Sequence, residues 1–198
     1  MIVAVFSALS VILGAVNVVP YVISISRKKT SPSGVAYVLQ ALLSVATIGG
    51  FILSGAKFSV WVFQILWFLT AVVILIFGAI FRENVWQRKP RDIVVFALTV
   101  AAIIALFFSP KLAIFLSILI AVFIKWFEIE KMFEHPNREN LTSWILATLA
   151  NLFAILTALL THAALIILVA LAVDFVLDCV VIIIGFVQKL AARKKLSR

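Results

Sequence analysis

The sequence predicts an all-α integral membrane protein of seven transmembrane helices, built as two parallel three-helix repeats plus a connector helix (3+1+3). Three observations predict it. Hydrophobic residues make up 65% of the 198, where a soluble domain holds roughly one half. They gather in runs, and at roughly 20 residues per crossing of the hydrocarbon core the chain has room for about seven. The basic residues fall between the runs, crowding alternate turns.

The first helix is expected over Ile2 to Ile25, where Ser7, Ser10, Gly14, Asn17, Tyr21 and Ser24 recur at spacings of three and four. That periodicity is one helical face, and small or polar residues in a membrane helix turn toward neighbouring helices rather than lipid. With no basic region before it and no small-residue cleavage site after it, this helix is expected to be retained. Pro20 removes a backbone donor and is expected to kink the helix as a hinge.

After the basic turn Arg27 to Gly34, a second helix is expected over Val35 to Ser54 with Gln40, Ser44 and Thr47 on one face, and a third over Phe58 to Phe81 carrying Gln64, Ala71 and Gly78. The polar segment Arg82 to Asp92 closes this half. The fourth helix, Ile93 to Phe108, has almost no polar side chain besides Thr99, as suits a connector. Ser109-Pro110-Lys111 separates it from a fifth, Leu112 to Phe133, on which Ser117, Ala121, Lys125 and Glu128 share a face. Thr142 to Gly185 is long enough for two crossings, the sixth and seventh helices, with the turn placed near Thr161-His162. The chain thus divides into a first repeat over 1–81, a connector over 82–111, a second repeat over 112–188 and a basic cytoplasmic tail over 189–198.

Charge placement is an independent check on the count. With seven helices, 14 of the 17 lysines and arginines share one side, in the turns after helices one, three and five and at the C-terminus, against Lys57 and Lys111 opposite and Lys125 within the fifth helix. The positive-inside rule then puts the C-terminus in the cytoplasm and the N-terminus outside, in a plasma (inner) membrane. The net charge of +9 is explained by those turns, so no nucleic-acid partner is expected. The single cysteine, Cys179, lies in an apolar run and forms no disulfide within one chain.

Shifting the first half by 107 residues pairs Tyr37 with Trp144, Leu39 with Leu146, Leu42 with Leu149 and Ser44 with Asn151. An odd connector between two triplets gives them the same orientation, hence parallel repeats. Pro20-Tyr21 with its basic turn and Ser31-Pro32-Ser33-Gly34, together with His135-Pro136-Asn137-Arg138-Glu139-Asn140-Leu141-Thr142-Ser143-Trp144, resembles the PQ-loop group of membrane proteins, which includes the SWEET and SemiSWEET sugar transporters, cystinosin-like carriers and the KDEL receptors. It looks closer still to bacterial members with Pro-Tyr in the first repeat and Glu-Asn-Leu-x-Ser-Trp in the second. The resemblance implies a central solute pocket lined by asparagines and tryptophans, and proline hinges for alternating access. Tyr21 replaces the glutamine of the motif, and Phe127 stands where the second repeat would carry its proline.

Asp174 falls near the bilayer midplane, with Asp178 one turn deeper on the same face. An aspartate there costs at least about 2.5 kcal/mol on insertion scales, so it faces a cavity or a partner. The functional reading is a protonatable or cation-binding carboxylate on a transport path; the structural one is an ion pair within the bundle. Lys125 and Glu128, at i and i+3, are expected to pair with each other, with Lys125 snorkelling to the interface; a gate or counter-ion for the aspartates is the sharper alternative. Asn17, Gln40, Gln64 and Asn151 are either interhelical glue or solute ligands. Trp61, Trp86, Trp126 and Trp144 read as an interfacial aromatic belt, leaving Trp67 as the aromatic platform for a solute. His162 is expected in a solvated turn.

There is no Gly-rich phosphate loop, metal-spaced histidine pair or Gly-x-Ser-x-Gly, so neither enzyme activity nor a cofactor or metal is expected. The expected function is transport or facilitated passage of a small polar solute between two three-helix bundles, with Asp174 carrying proton or cation coupling. The alternative is a non-transporting receptor or assembly factor on the same fold. The partners expected are the lipid bilayer, the solute, and a second copy of the chain in a homo-oligomer.

Overall fold

A computed structural model describes residues 1–83, 90–134 and 139–196, the last five as backbone only. The helices are α1 (Ile2–Val16), α2 (Val18–Ser26), α3 (Gly34–Leu53), α4 (Phe58–Ile80), α5 (Pro90–Ala105), α6 (Pro110–Glu134), α7 (Leu141–Leu160) and α8 (Leu165–Leu196). Six stretches are long and apolar enough to cross a bilayer: Ile2–Ser26, Gly34–Leu53, Phe58–Ile80, Pro110–Glu134, Leu141–Leu160 and Leu165–Ala191. The sixteen residues of α5 rise only about 24 Å, short of a hydrocarbon core of roughly 30 Å. Trp86, Arg88, Lys89, Arg138 and Arg198, and the motif residues His135 to Arg138, lie outside the described residues.

The burial pattern is that of a chain whose solvent is lipid. Ile12, Phe96, Phe115, Phe123, Val176 and Ile183 are exposed, while Ser10, Gln64, Ser117, Lys125, Asn151 and Asp178 are buried. Polar groups inside hydrocarbon must find partners within the protein, so the interior is the place to look for chemistry.

The first predicted helix is interrupted at Asn17, where α1 meets α2, but Asn17 keeps helical dihedrals (φ −59, ψ −30) and donates its backbone N–H to Leu13 O at 3.0 Å. Pro20 is the cause, because it has no N–H for the carbonyl four residues back and its ring crowds that carbonyl. At the other end of the chain α8 continues as helix through Leu196. Helix four begins earlier than expected, at Pro90, whose fixed φ suits a first helical turn.

Three helix starts are capped by side chains, α6 by Ser109 Oγ, which accepts from Leu112 N at 3.3 Å. Ser33 Oγ accepts from Ala36 N at 3.3 Å to begin α3, and Asn140 Oδ1 accepts from Ser143 N at 3.2 Å to begin α7. Four helix ends turn through a left-handed residue, Lys28 (φ 56), Gly55 (φ 77), Arg82 (φ 55) and His162 (φ 53). At each, the following N–H returns to a carbonyl five residues earlier, as in Ala163 N to Ala158 O at 3.0 Å, which satisfies the orphan carbonyls of the last turn.

Packing brings the two halves together. In the first half α4 contacts both α1 and α3; in the second α8 contacts both α6 and α7. Between the halves α1 packs on α7 and α3 on α6, with α5 laid against α3 and α6. Small residues allow these approaches: Ser10 Oγ donates to Ala150 O at 2.9 Å across α1 and α7, and Gly50 lies against Ile114 across α3 and α6.

Candidate functional site

A narrow cavity of about 30 Å³ opens where α2, α3, α4, α6 and α7 converge at Asn17. Its walls carry Asn17 and Tyr21 from the interrupted first helix, Tyr37 and Gln40 from α3, Trp67 and Thr70 from α4, Lys125 and Glu128 from α6, and Ser143 and Trp144 from α7. Asn17 and Tyr21, four residues apart and both buried, face this space. Tyr21 and Tyr37 meet edge to face, with ring centroids 5.9 Å apart.

Lys125 does not pair with Glu128 and does not snorkel. It is 5% exposed, and its Nζ donates to Asp178 Oδ1 at 2.5 Å while lying 4.3 Å from the Trp144 ring centroid and 5.1 Å from that of Trp67. A carboxylate and two indole faces replace water around one ammonium, which is what burying a lysine requires. Asn151 Nδ2 donates to the other oxygen of Asp178 at 2.7 Å. Asp178 is therefore sealed between α6 and α7, and Asn151 is a partner of that carboxylate rather than a wall of the cavity.

Glu128 takes a different cation. Lys131 Nζ donates to Glu128 Oε2 at 2.6 Å and forms an ion pair with Glu139 Oε2 at 2.6 Å, while Trp144 Nε1 donates to Glu139 Oε1 at 3.1 Å. Trp144 is thus not part of an interfacial belt: it is 7% exposed, with its indole N–H bound inside the protein. Trp126, 57% exposed, faces outward.

One residue joins this cluster to α2. Asn140, besides capping α7, donates through Nδ2 to Pro20 O at 2.7 Å. A single carboxamide thus holds the start of α7 against the bend of α2.

Asp174 and Gln64 do not reach the first cavity. They line a second, polar space of about 20 Å³ with Gln40, Thr47, Ser117 and Ala170. Gln40 lines both. The two aspartates, expected on one face, have different surroundings: Asp178 is 0% exposed and ion-paired, whereas Asp174 is half-buried and borders the second cavity.

Of the residues singled out in the sequence, Asn17, Gln40, Trp67, Lys125 and Glu128 meet at the first cavity, and Gln40, Gln64 and Asp174 at the second. Tyr21, Tyr37, Lys131, Glu139 and Asn140 were not foreseen as parts of it. Lys131 had a sequence signal, its i,i+3 spacing from Glu128. Glu139 had only its place in the Glu-Asn-Leu-x-Ser-Trp element, which does not say that its carboxylate accepts from the indole five residues on.

In comparisons with protein-family models, curated proteins and solved structures, nothing matches this chain.

Proposed function

We propose that this chain is a transporter or facilitator of a small polar solute, built as two parallel three-helix bundles, α1/α2–α3–α4 and α6–α7–α8, with α5 crossing between them. The reading is of a PQ-loop-like plan in a plasma (inner) membrane, N-terminus outside and C-terminus cytoplasmic. The observation that carries it is the make-up of the first cavity. Ten of its 14 lining residues form five pairs 107 residues apart: Asn17 with Ile124, Tyr21 with Glu128, Ala36 with Ser143, Tyr37 with Trp144, and Gln40 with Ala147. A space bounded by matching positions of two repeats lies on the axis relating them, where alternating-access proteins bind solute.

The helix limits support the same reading. Adding 107 to Gly34, Leu53 and Phe58 gives Leu141, Leu160 and Leu165, the start and end of α7 and the start of α8. The packing supports it too, since the third helix of each triplet separates the first from the second, and the contacts α1 on α7 and α3 on α6 exchange under the same shift. The cavity walls suit a polar solute. Amide, hydroxyl, ammonium and carboxylate groups share them with four aromatic rings, a mix that orients a small ligand by hydrogen bonds and packs its apolar parts.

The test begins with a thermal-shift screen of sugars, amino acids and organic cations at two pH values, because a ligand bound to the native state raises its melting temperature. The stabilising ligand is then offered to proteoliposomes. Facilitated uptake, weakened by Trp67→Ala, is the expected result, and Asp174→Asn is expected to abolish its dependence on an ion or pH gradient. A ligand that binds without flux assigns the chain to the receptor class instead. Coupled uptake unchanged in Asp174→Asn removes Asp174 from the coupling step.

A further inference from the structure

The second cavity is distinctive in the chemistry of its polar atoms. Thr47 Oγ1 donates its only proton to Leu43 O at 3.0 Å, and Ser117 Oγ donates its own to Ala113 O at 2.8 Å. A hydroxyl has one proton and two lone pairs, so both residues present only lone pairs to the cavity. Asp174 adds a carboxylate, and Gln40 and Gln64 add carboxamides, each able to turn its oxygen to a cation. Gln64 is 3% exposed, and neither its carboxamide nor the Asp174 carboxylate has a hydrogen-bond or ion-pair partner among the described residues.

Asp174 also has no cation bonded to it among the described residues. Lys125 acts on it only from a distance, its ammonium being bonded to Asp178, and Lys131 is held by Glu128 and Glu139. A carboxylate inside hydrocarbon needs a partner, and a space that offers lone pairs with one negative charge selects a cation. Oxygen donors with neither sulfur nor imidazole suit a hard ion. A single carboxylate matches one positive charge, whereas calcium sites draw on several, and no group of three or more His, Cys, Asp or Glu is positioned for a metal among the described residues.

We infer that Asp174, Gln64, Gln40, Thr47 and Ser117 form a sodium-ion site between α3, α4, α6 and α8. The inference deepens, and rests on, the coupling role proposed for Asp174, and it names the ion. The ligands come from both halves of the chain, so occupancy draws α3 and α4 toward α6 and α8. Gln40, shared with the first cavity, links the ion to the solute.

The experiment is a thermal melt of the purified full-length protein at fixed pH and ionic strength, with sodium chloride replacing choline chloride and no solute present. A saturable rise in melting temperature is expected. Asp174→Asn should abolish it, and Gln64→Leu should raise the half-saturating sodium concentration by about tenfold. The wild-type titration stands by itself if a variant fails to fold. A flat wild-type response overturns the inference, as does a melt that follows pH but not sodium, or a sodium response undiminished in both variants. Absence of solute flux alongside a normal sodium response would sink the transport reading and leave the ion site standing.

Discussion

The Lys125–Asp178 pair makes the sharpest quantitative prediction. Asp178→Asn removes the charge that faces Lys125 Nζ at 2.5 Å, in a place where Lys125 is 5% and Asp178 0% exposed. The ammonium would keep a neutral amide oxygen at most, and the faces of Trp144 and Trp67, worth about 2 kcal/mol when desolvated. Breaking a buried pair from one side costs about 3–5 kcal/mol, because the other charge stays behind. Lys125→Met should cost a similar amount, since Asp178 would retain only the Asn151 amide at 2.7 Å. The double variant leaves no buried charge at this point and should lie within about 2 kcal/mol of wild type, so the cycle should show a coupling of about 3 kcal/mol or more. Equilibrium unfolding in mixed detergent micelles, followed by tryptophan fluorescence, measures all four corners. Single variants that each cost under about 1 kcal/mol, or costs that simply add, would refute the reasoning.

Three further outcomes follow from geometry alone. Gly50→Ala should cost about 1–3 kcal/mol in the same assay, because its Cβ would lie 2.7 Å from Ile114 Cγ1, and Ile114 is fully buried. Adding Ile114→Ala should then cost less than it does in the wild type. Asn140→Ala should lower stability by about 2 kcal/mol, roughly 1 for the lost α7 cap and 1 for the bond to Pro20 O; Asn140→Ser, which keeps the cap, should recover about half. His162→Gly should raise the melting temperature, since a side chain at φ 53 carries a left-handed cost of about 1–2 kcal/mol that glycine does not.

The helices were legible because length and apolarity are local properties. Even the turn between α7 and α8, unmarked by glycine or proline, was placed at Thr161-His162 from span length alone. Its geometry explains the missing signal: His162 takes the left-handed conformation that Gly55 takes 107 residues earlier. Pro20 announced a bend but not where the helix would be interrupted, because the carbonyl it deprives lies four residues upstream. Partner choice was least legible. Periodicity puts Lys125 and Glu128 on one stripe, yet tertiary packing gave Lys125 an aspartate 53 residues away and gave Glu128 the lysine of the next turn. Asp174 and Asp178 show the same limit. One helical turn separates them, and only the packing of α6 and α7 decides which is sealed in and which faces open space.

Three of the five paired positions around the first cavity are unlike in kind. Tyr21 stands opposite Glu128, Asn17 opposite Ile124, and Gln40 opposite Ala147. A chamber formed by two identical units would look the same to a ligand turned end for end, and an asymmetric molecule would bind it two ways with equal affinity. Here one wall offers a phenol and two amides where the other offers a carboxylate, an isoleucine and an alanine. Under the proposed transport role, such a chamber would hold an asymmetric guest in one orientation, with the same end toward the α2 bend each time.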